Sequence, residues 1–274
     1  MSGHAKLFQQ TIGETGSTQA TIRLRTFGGI RIEQTSGRFD ASVAQRRKLA
    51  LLALLAANRD GITRDRIVGL LWSECDEARA RHTLSQLVHA LRRAVGDQVI
   101  VGPGMSLRLD PEIVSSDVAE FELAIARQDY AEAVRLYRGS FLDGFYLNGC
   151  PEFERWVEER RAVLARQAEK ALEILATRAG ASGDARQAAE WWFNLSELRP
   201  LDSRITLGLM QATVAAGDHG TALSYARAHE RLLRSELDVA PAPALTAYAA
   251  SLRTATWSAH SGVGAEAAAG LRTA

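Results

Sequence analysis

The sequence predicts a mainly α protein with a small β component, built from two parts of different character. Three observations carry that expectation. Apolar residues alternate with polar ones near the start of the chain, then recur at spacings of three and four through most of the rest. A chain of 274 residues has room for about two domains. Charge divides in the same place: residues 20–115 hold 15 Lys and Arg against 10 Asp and Glu, whereas residues 116–253 hold 16 against 20. A basic front half joined to an acidic back half suggests two jobs.

After a polar opening, Thr21-Ile22-Arg23-Leu24-Arg25-Thr26-Phe27 alternates as a half-buried strand does. Gly28-Gly29 turns the chain and Ile30-Arg31-Ile32 returns, giving a small antiparallel sheet. Residues 45–57 form a helix that opens on Arg46, Arg47 and Lys48 and continues as an almost wholly apolar body, which belongs in a core. Thr63 is a suitable N-cap for a short helix over 64–72. A third helix over 77–95 carries one apolar stripe of Ala80, Leu84, Leu87, Val88, Leu91 and Val95, and Gly96 is placed to stop it. Val99-Ile100-Val101, Gly102-Pro103-Gly104 and Leu107-Arg108-Leu109 follow as strand, turn and strand. Sheet, three helices and hairpin, in that order, are the plan of a winged helix-turn-helix with an added N-terminal sheet.

Residues 110–118, with Pro111 and two serines, read as a linker. Everything beyond is expected to be helical, over 118–128, 130–138, 152–179, 185–199, 203–216, 221–237 and 242–256. Asp117, Asp129, Asp184, Asp202 and Asp218 lie at or beside the helix starts, where a short carboxylate caps free N–H groups. Gly183-Asp184 recurs as Gly217-Asp218, an offset of 34, with a weaker echo at Asp129-Tyr130. Thirty-four is the tetratricopeptide period, so the back half reads as an all-α, tetratricopeptide-like helical repeat. The expected layout is a disordered tail over 1–20, a winged-helix domain over 21–112, a helical repeat domain over 113–256 and a second disordered tail over 257–274.

Several function classes find no support in the residues. The longest unbroken apolar run, Leu49 to Ala57, is half of what a spanning helix needs, and no secretory leader is expected in the polar first 20 residues. Cys75 and Cys150 form neither a metal spacing nor a disulfide framework, which fits a cytoplasmic protein. There is no phosphate loop, no dinucleotide fingerprint, no nucleophile elbow and no histidine pair at ligand spacing. No enzyme activity, cofactor or metal is expected.

The third helix concentrates the remaining chemistry. Opposite its apolar stripe lie Arg79, His82, Gln86, His89 and Arg93, flanked by Arg81, Ser85 and Arg92. Arg suits guanine O6 and N7, and Gln suits adenine N6 and N7, when a helix lies in the major groove. Arg79, His82, Ser85, Gln86 and His89 are therefore the candidate base contacts, and Arg81, Arg92 and Arg93 candidate phosphate contacts. Arg46, Arg47 and Lys48 stand at a helix N-terminus, where cations oppose the dipole unless a phosphate is near. Thr63 and Arg64 open the second helix and complete the phosphate set. These residues point to double-stranded DNA. The competing reading is a helical-repeat adaptor whose winged helix binds protein instead, although an adaptor has no need of a basic outer stripe aligned with basic helix openings.

Arg46-Arg47-Lys48-Leu49-Ala50-Leu51-Leu52, Leu70-Leu71-Trp72, and Ala80-Arg81-His82-Thr83-Leu84-Ser85-Gln86-Leu87 with Ala90-Leu91-Arg92-Arg93 resemble the Streptomyces antibiotic regulatory protein type of transcriptional activator. Phe141-Leu142-Asp143-Gly144-Phe145, Glu152-Phe153-Glu154-Arg155-Trp156-Val157 and His229-Glu230-Arg231-Leu232-Leu233 resemble the bacterial transcriptional activator domain that follows the winged helix in that family. The resemblance runs from about Thr21 to Arg253. It implies an OmpR/PhoB-like winged helix whose third helix reads promoter DNA, often as two copies on direct repeats. It further implies a helical domain used for homodimer and RNA polymerase contacts. The wing departs from the family's Gly-Tyr-Arg-Leu, since Gly104-Met105-Ser106-Leu107 lacks both the aromatic and the basic residue. The nucleotide-binding switch domain of larger relatives is not expected, because the sequence holds no phosphate loop.

Overall fold

The structure is a computed structural model in which residues 22–34, 46–102 and 105–254 are described. The two tails expected over 1–20 and 257–274, and the turn residues Pro103 and Gly104, lie outside the described residues. The chain forms two compact units, neither of them a single run of sequence. The first comprises the described residues up to Thr26, those of Ile30–Ala119, and Phe145–Phe153; the second comprises Phe27–Gly29, Glu120–Gly144 and the described residues from Glu154 onward.

In the first unit, β1 (Ile22–Arg25) pairs antiparallel with β2 (Arg31–Gln34), with Leu24 opposite Ile32. Helix α1 (Arg46–Ala56) is the apolar body expected, with Leu51, Leu54 and Leu55 fully buried. Burial of each leucine contributes about 1.5–3 kcal/mol, more than the helix's basic first turn costs. After the short β3 (Ile62–Thr63), helix α2 (Arg64–Leu71) is capped by Thr63, whose hydroxyl accepts from the Arg66 N–H at 3.3 Å. Helix α3 (Glu77–Val95) follows, then β4 (Ile100–Val101) and β5 (Ser106–Leu109), which pair antiparallel as a wing. β5 also pairs with β3, giving a second small sheet in the order β3-β5-β4.

The stretch expected as a linker is structured. β6 (Val114–Ser116) runs parallel to β1 on the side opposite β2, so the first sheet is mixed and ordered β2-β1-β6. Val114 and Ser116 are buried and Ser115 is half-buried, a strand pattern hidden in a three-residue segment beside Asp and Pro. Asp117 stands at the start of α4, as expected, but does more than serve a free helix N–H. Its buried carboxylate accepts from the Thr26 N–H at 2.8 and 2.9 Å, from the Thr26 hydroxyl at 2.6 Å and from the Val118 N–H at 2.8 Å. It secures the end of β1 across 91 residues of sequence.

The second unit is helical: the rest of α4 (Asp117–Ala126), α5 (Tyr130–Leu136), most of α6 (Pro151–Ala181), α7 (Ala185–Leu198), α8 (Ser203–Ala215), α9 (His219–Leu237) and α10 over 243–254. The internal repeat becomes three equivalent turns. Gln128, Gly183 and Gly217 have positive φ (60°, 83° and 93°), and each is followed by an aspartate. Asp129, Asp184 and Asp218 cap α5, α7 and α9 by accepting the N–H three residues on, at 3.2, 3.0 and 2.9 Å. Four residues past each aspartate comes a buried alanine, Ala133, Ala188 or Ala222, small enough to admit the neighbouring helix. Packing deepens through Leu172, Leu195 and Ile205 with Trp191 and Trp192 against them, and through Met210, Ala222, Ala226, Leu245, Ala249 and Leu252. Gly208, within α8, lies face-on to Trp192: a Cβ there would stand 2.9 Å from two indole carbons.

Candidate nucleic-acid interface

Helix α3 is fixed at both ends and along one face. Asp76 caps it by accepting the Arg79 N–H at 3.1 Å, and Gly96 ends it at φ 118°, a conformation an L side chain resists. Glu77 in the first turn and Arg92 and Arg93 in the last turn complement the helix dipole. Ala80, Leu84, Val88 and Leu91 are buried, while Leu87 and Val95 are half-buried. A 19-residue helix is about 28 Å long, and one whole side of this one is left to solvent.

That side carries all five candidate base contacts: Arg79, His82, Ser85, Gln86 and His89 are exposed. They are not equivalent. The Ser85 hydroxyl donates to the Arg81 carbonyl at 3.0 Å and leaves only acceptor capacity facing outward. His82 Nε2 and Gln86 Nε2 are 2.9 Å apart, one turn apart on the same face. Arg79 and His89 extend from the same side.

The candidate phosphate contacts divide more sharply. Arg93 is exposed, Arg64 is half-buried, and the Arg64 N–H donates to the Met105 carbonyl at 2.8 Å. Arg81 is exposed but bridges Asp65 of α2 at 3.1 Å and Glu77 at 2.6 Å, so its charge is largely answered within the unit. The Thr63 hydroxyl oxygen serves the α2 cap. Arg92 donates Nε and Nη2 to the Ile100 carbonyl at 3.1 and 2.8 Å, tying α3 to the wing. At the opening of α1, Arg46 donates to the Tyr146 carbonyl at 2.6 Å and lies 6.0 Å from the centre of the Phe145 ring. Arg47 stacks over Trp72 at 5.7 Å, and Lys48 is buried at 6% exposure. The conflict between these cations and the α1 dipole is thus met within the protein for Arg46, and burial withdraws Lys48 from any external anion.

Between α2, α3 and the residue that enters β5 lies an open depression of about 410 Å³, lined by Arg64, Asp65, Arg81, Leu84, Ser85 and Met105. Two of its members escaped sequence reasoning. Asp65 answers Arg81 from 16 residues away, on another helix, where no local pattern signals it. Met105 is 71% exposed where the family's wing has an aromatic residue, and only the register of the hairpin brings it beside Ser85. Among the described residues, no group of three or more His, Cys, Asp or Glu could hold a metal ion, and no helix is long and apolar enough to cross a membrane.

The sequence model of the bacterial transcriptional activator domain family matches residues 115–253, half of the chain. The chain belongs to this family. The matched span begins at β6 and ends in α10, so this activator domain comprises the helical repeat and the last strand of the first sheet. Preceded as it is by a winged helix, it makes the chain a transcription regulator of the Streptomyces antibiotic regulatory protein type. Among solved structures, one match is Mycobacterium tuberculosis EmbR in complex with a low affinity phosphopeptide, 20% identical, with a TM-score of 0.59. The alignment covers 86% of this chain and 66% of EmbR, and at that identity the likeness is one of fold. No curated protein matches the activator-domain chain.

Proposed function

We propose that this regulator binds promoter DNA in duplex form, with α3 in the major groove, and activates transcription from the sites it occupies. One observation carries the reading: a 19-residue helix, capped at both ends and buried along one stripe, keeps Arg79, His82, Gln86, His89 and Arg93 exposed along the opposite face. A helix of that width fits the major groove, and these side chains are of the types that read base edges and phosphates. Arg79, His82, Ser85, Gln86 and His89 face bases, and Arg64, Arg93 and the capping end of α2 at Thr63 approach phosphates. Arg47 and Arg81 add charge from their paired positions. The winged helix over 21–112 is the DNA-binding part, and the activator domain over 113–256 supports a homodimer on DNA and contact with RNA polymerase in the cytoplasm.

The test is selection of genomic fragments by the purified full chain at two salt concentrations. Recovery of a few upstream regions that share a repeated motif, with affinity falling steeply in salt, is the expected result. Weak, sequence-blind retention would overturn it in favour of a winged helix that binds protein.

A further inference from the structure

The contact between His82 and Gln86 decides how Gln86 can face a base. The two Nε2 atoms are 2.9 Å apart. An amide nitrogen only donates, so the imidazole Nε2 accepts and the ring proton sits on Nδ1. One Gln86 N–H is therefore committed to His82. The other N–H and the carbonyl oxygen remain, and a donor beside an acceptor is what adenine requires at N7 and N6. A donor in place of the imidazole acceptor would turn the amide over. The carbonyl would then be occupied and two N–H groups would face outward, the pattern that guanine N7 and O6 accept.

We propose that His82 is a positioning residue that holds the Gln86 amide in its adenine-reading orientation, and so sets the base chosen at that position. The proposal rests on the DNA-binding reading above. His82 and Gln86 are four residues apart on one exposed face, within reach of each other and clear of the buried stripe. Ser85 spends its hydrogen on the Arg81 carbonyl, and Arg81 is paired with Asp65 and Glu77. His82 is thus the side chain to which the structure joins Gln86.

The experiment is selection of bound sequences from a random duplex pool by the full chain and by four variants: Gln86→Ala, His82→Ala, His82→Glu and His82→Lys. Base ratios are compared column by column within each protein, so changes in overall affinity cancel. Both substituted positions are on the surface, and equal thermal melting confirms equal folding. Gln86→Ala is expected to erase a preference for adenine, of roughly tenfold, in one column. His82→Glu, which only accepts, keeps adenine there; His82→Lys, which only donates, moves the column to guanine; His82→Ala admits both. If Gln86→Ala erases the column while the His82 variants all keep adenine, the positioning role is overturned and the DNA reading stands. If the unaltered chain enriches no sequence, both fall together.

Discussion

Replacing Gly208 with alanine sets two opposed contributions against each other in α8. Alanine is the better helix former, by about 1 kcal/mol in a helix interior. The added methyl, however, would stand 2.9, 2.9 and 3.0 Å from three carbons of the Trp192 indole, where ordinary contact begins near 3.4 Å. The indole is rigid and packs against the Leu172, Leu195 and Ile205 cluster, so relief requires α7 and α8 to separate or Trp192 to leave its rotamer. Overpacking of this kind costs about 1–3 kcal/mol. Gly208→Ala is therefore expected to lose about 1 kcal/mol net, the midpoint of that cost less the helix gain. Gly180, near the end of α6, supplies the control: nothing lies within 4 Å of a Cβ there, so Gly180→Ala should gain up to about 1 kcal/mol. Urea unfolding followed by circular dichroism measures both. If Gly208→Ala matched or exceeded Gly180→Ala in stability, the close approach of α8 to Trp192 would not be the constraint described.

Three further outcomes are expected. Burial holds the His229 imidazole below the usual histidine range, against smaller opposing effects from the Pro200 carbonyl and Asp202. Since the unfolded chain then binds more protons, its contribution to stability is present above about pH 6.5, the unfolded value, and is lost as pH falls from there through the lower folded-state value; His229→Gln should remove that part of the pH slope in urea midpoints. Asp117→Ala leaves the buried Thr26 N–H and hydroxyl without their acceptor and should cost about 2–4 kcal/mol in the same assay, whereas a neutral result would deny the carboxylate its role at the end of β1. On a selected operator, Arg79→Ala should relax one base position by about 1–3 kcal/mol, while Arg93→Ala should weaken all sequences alike and reduce the salt slope by about 1; equal losses on every sequence from both would refute the division into base and phosphate contacts.

The helices were legible because their signals are local. The stripe Ala80-Leu84-Val88-Leu91 and Gly96 state a face and a stop, and α3 ends where that pattern predicts. The helical repeat was legible through Gly183-Asp184 and Gly217-Asp218, whereas Gln128-Asp129 makes the same turn with a residue that seldom adopts positive φ. What sequence could not reveal depends on distant partners. β6 is a strand because β1 offers it an edge, and Asp117 is buried because Thr26 fills its hydrogen bonds. The same applies to the candidate site. Residue type and face predicted the exposed set on α3, but Arg46 and Arg92 are engaged by carbonyls at Tyr146 and Ile100 that no spacing rule connects to them.

The first unit's possession of Phe145–Phe153 has a consequence for synthesis. Arg46 is joined to the Tyr146 carbonyl across 100 residues, and Cys150 donates its thiol to the Leu71 carbonyl across 79. At a translation rate of about 5–20 residues per second, the ribosome needs roughly 2–9 s after the wing strands emerge before this last piece is available. During that interval α1 and α2 are complete in sequence but lack a wall, and the Leu71 end of α2 is open to water. The first unit is therefore finished by a piece of the activator domain's own sequence: it can close only once the chain has been made past Phe153, well inside the span 115–253.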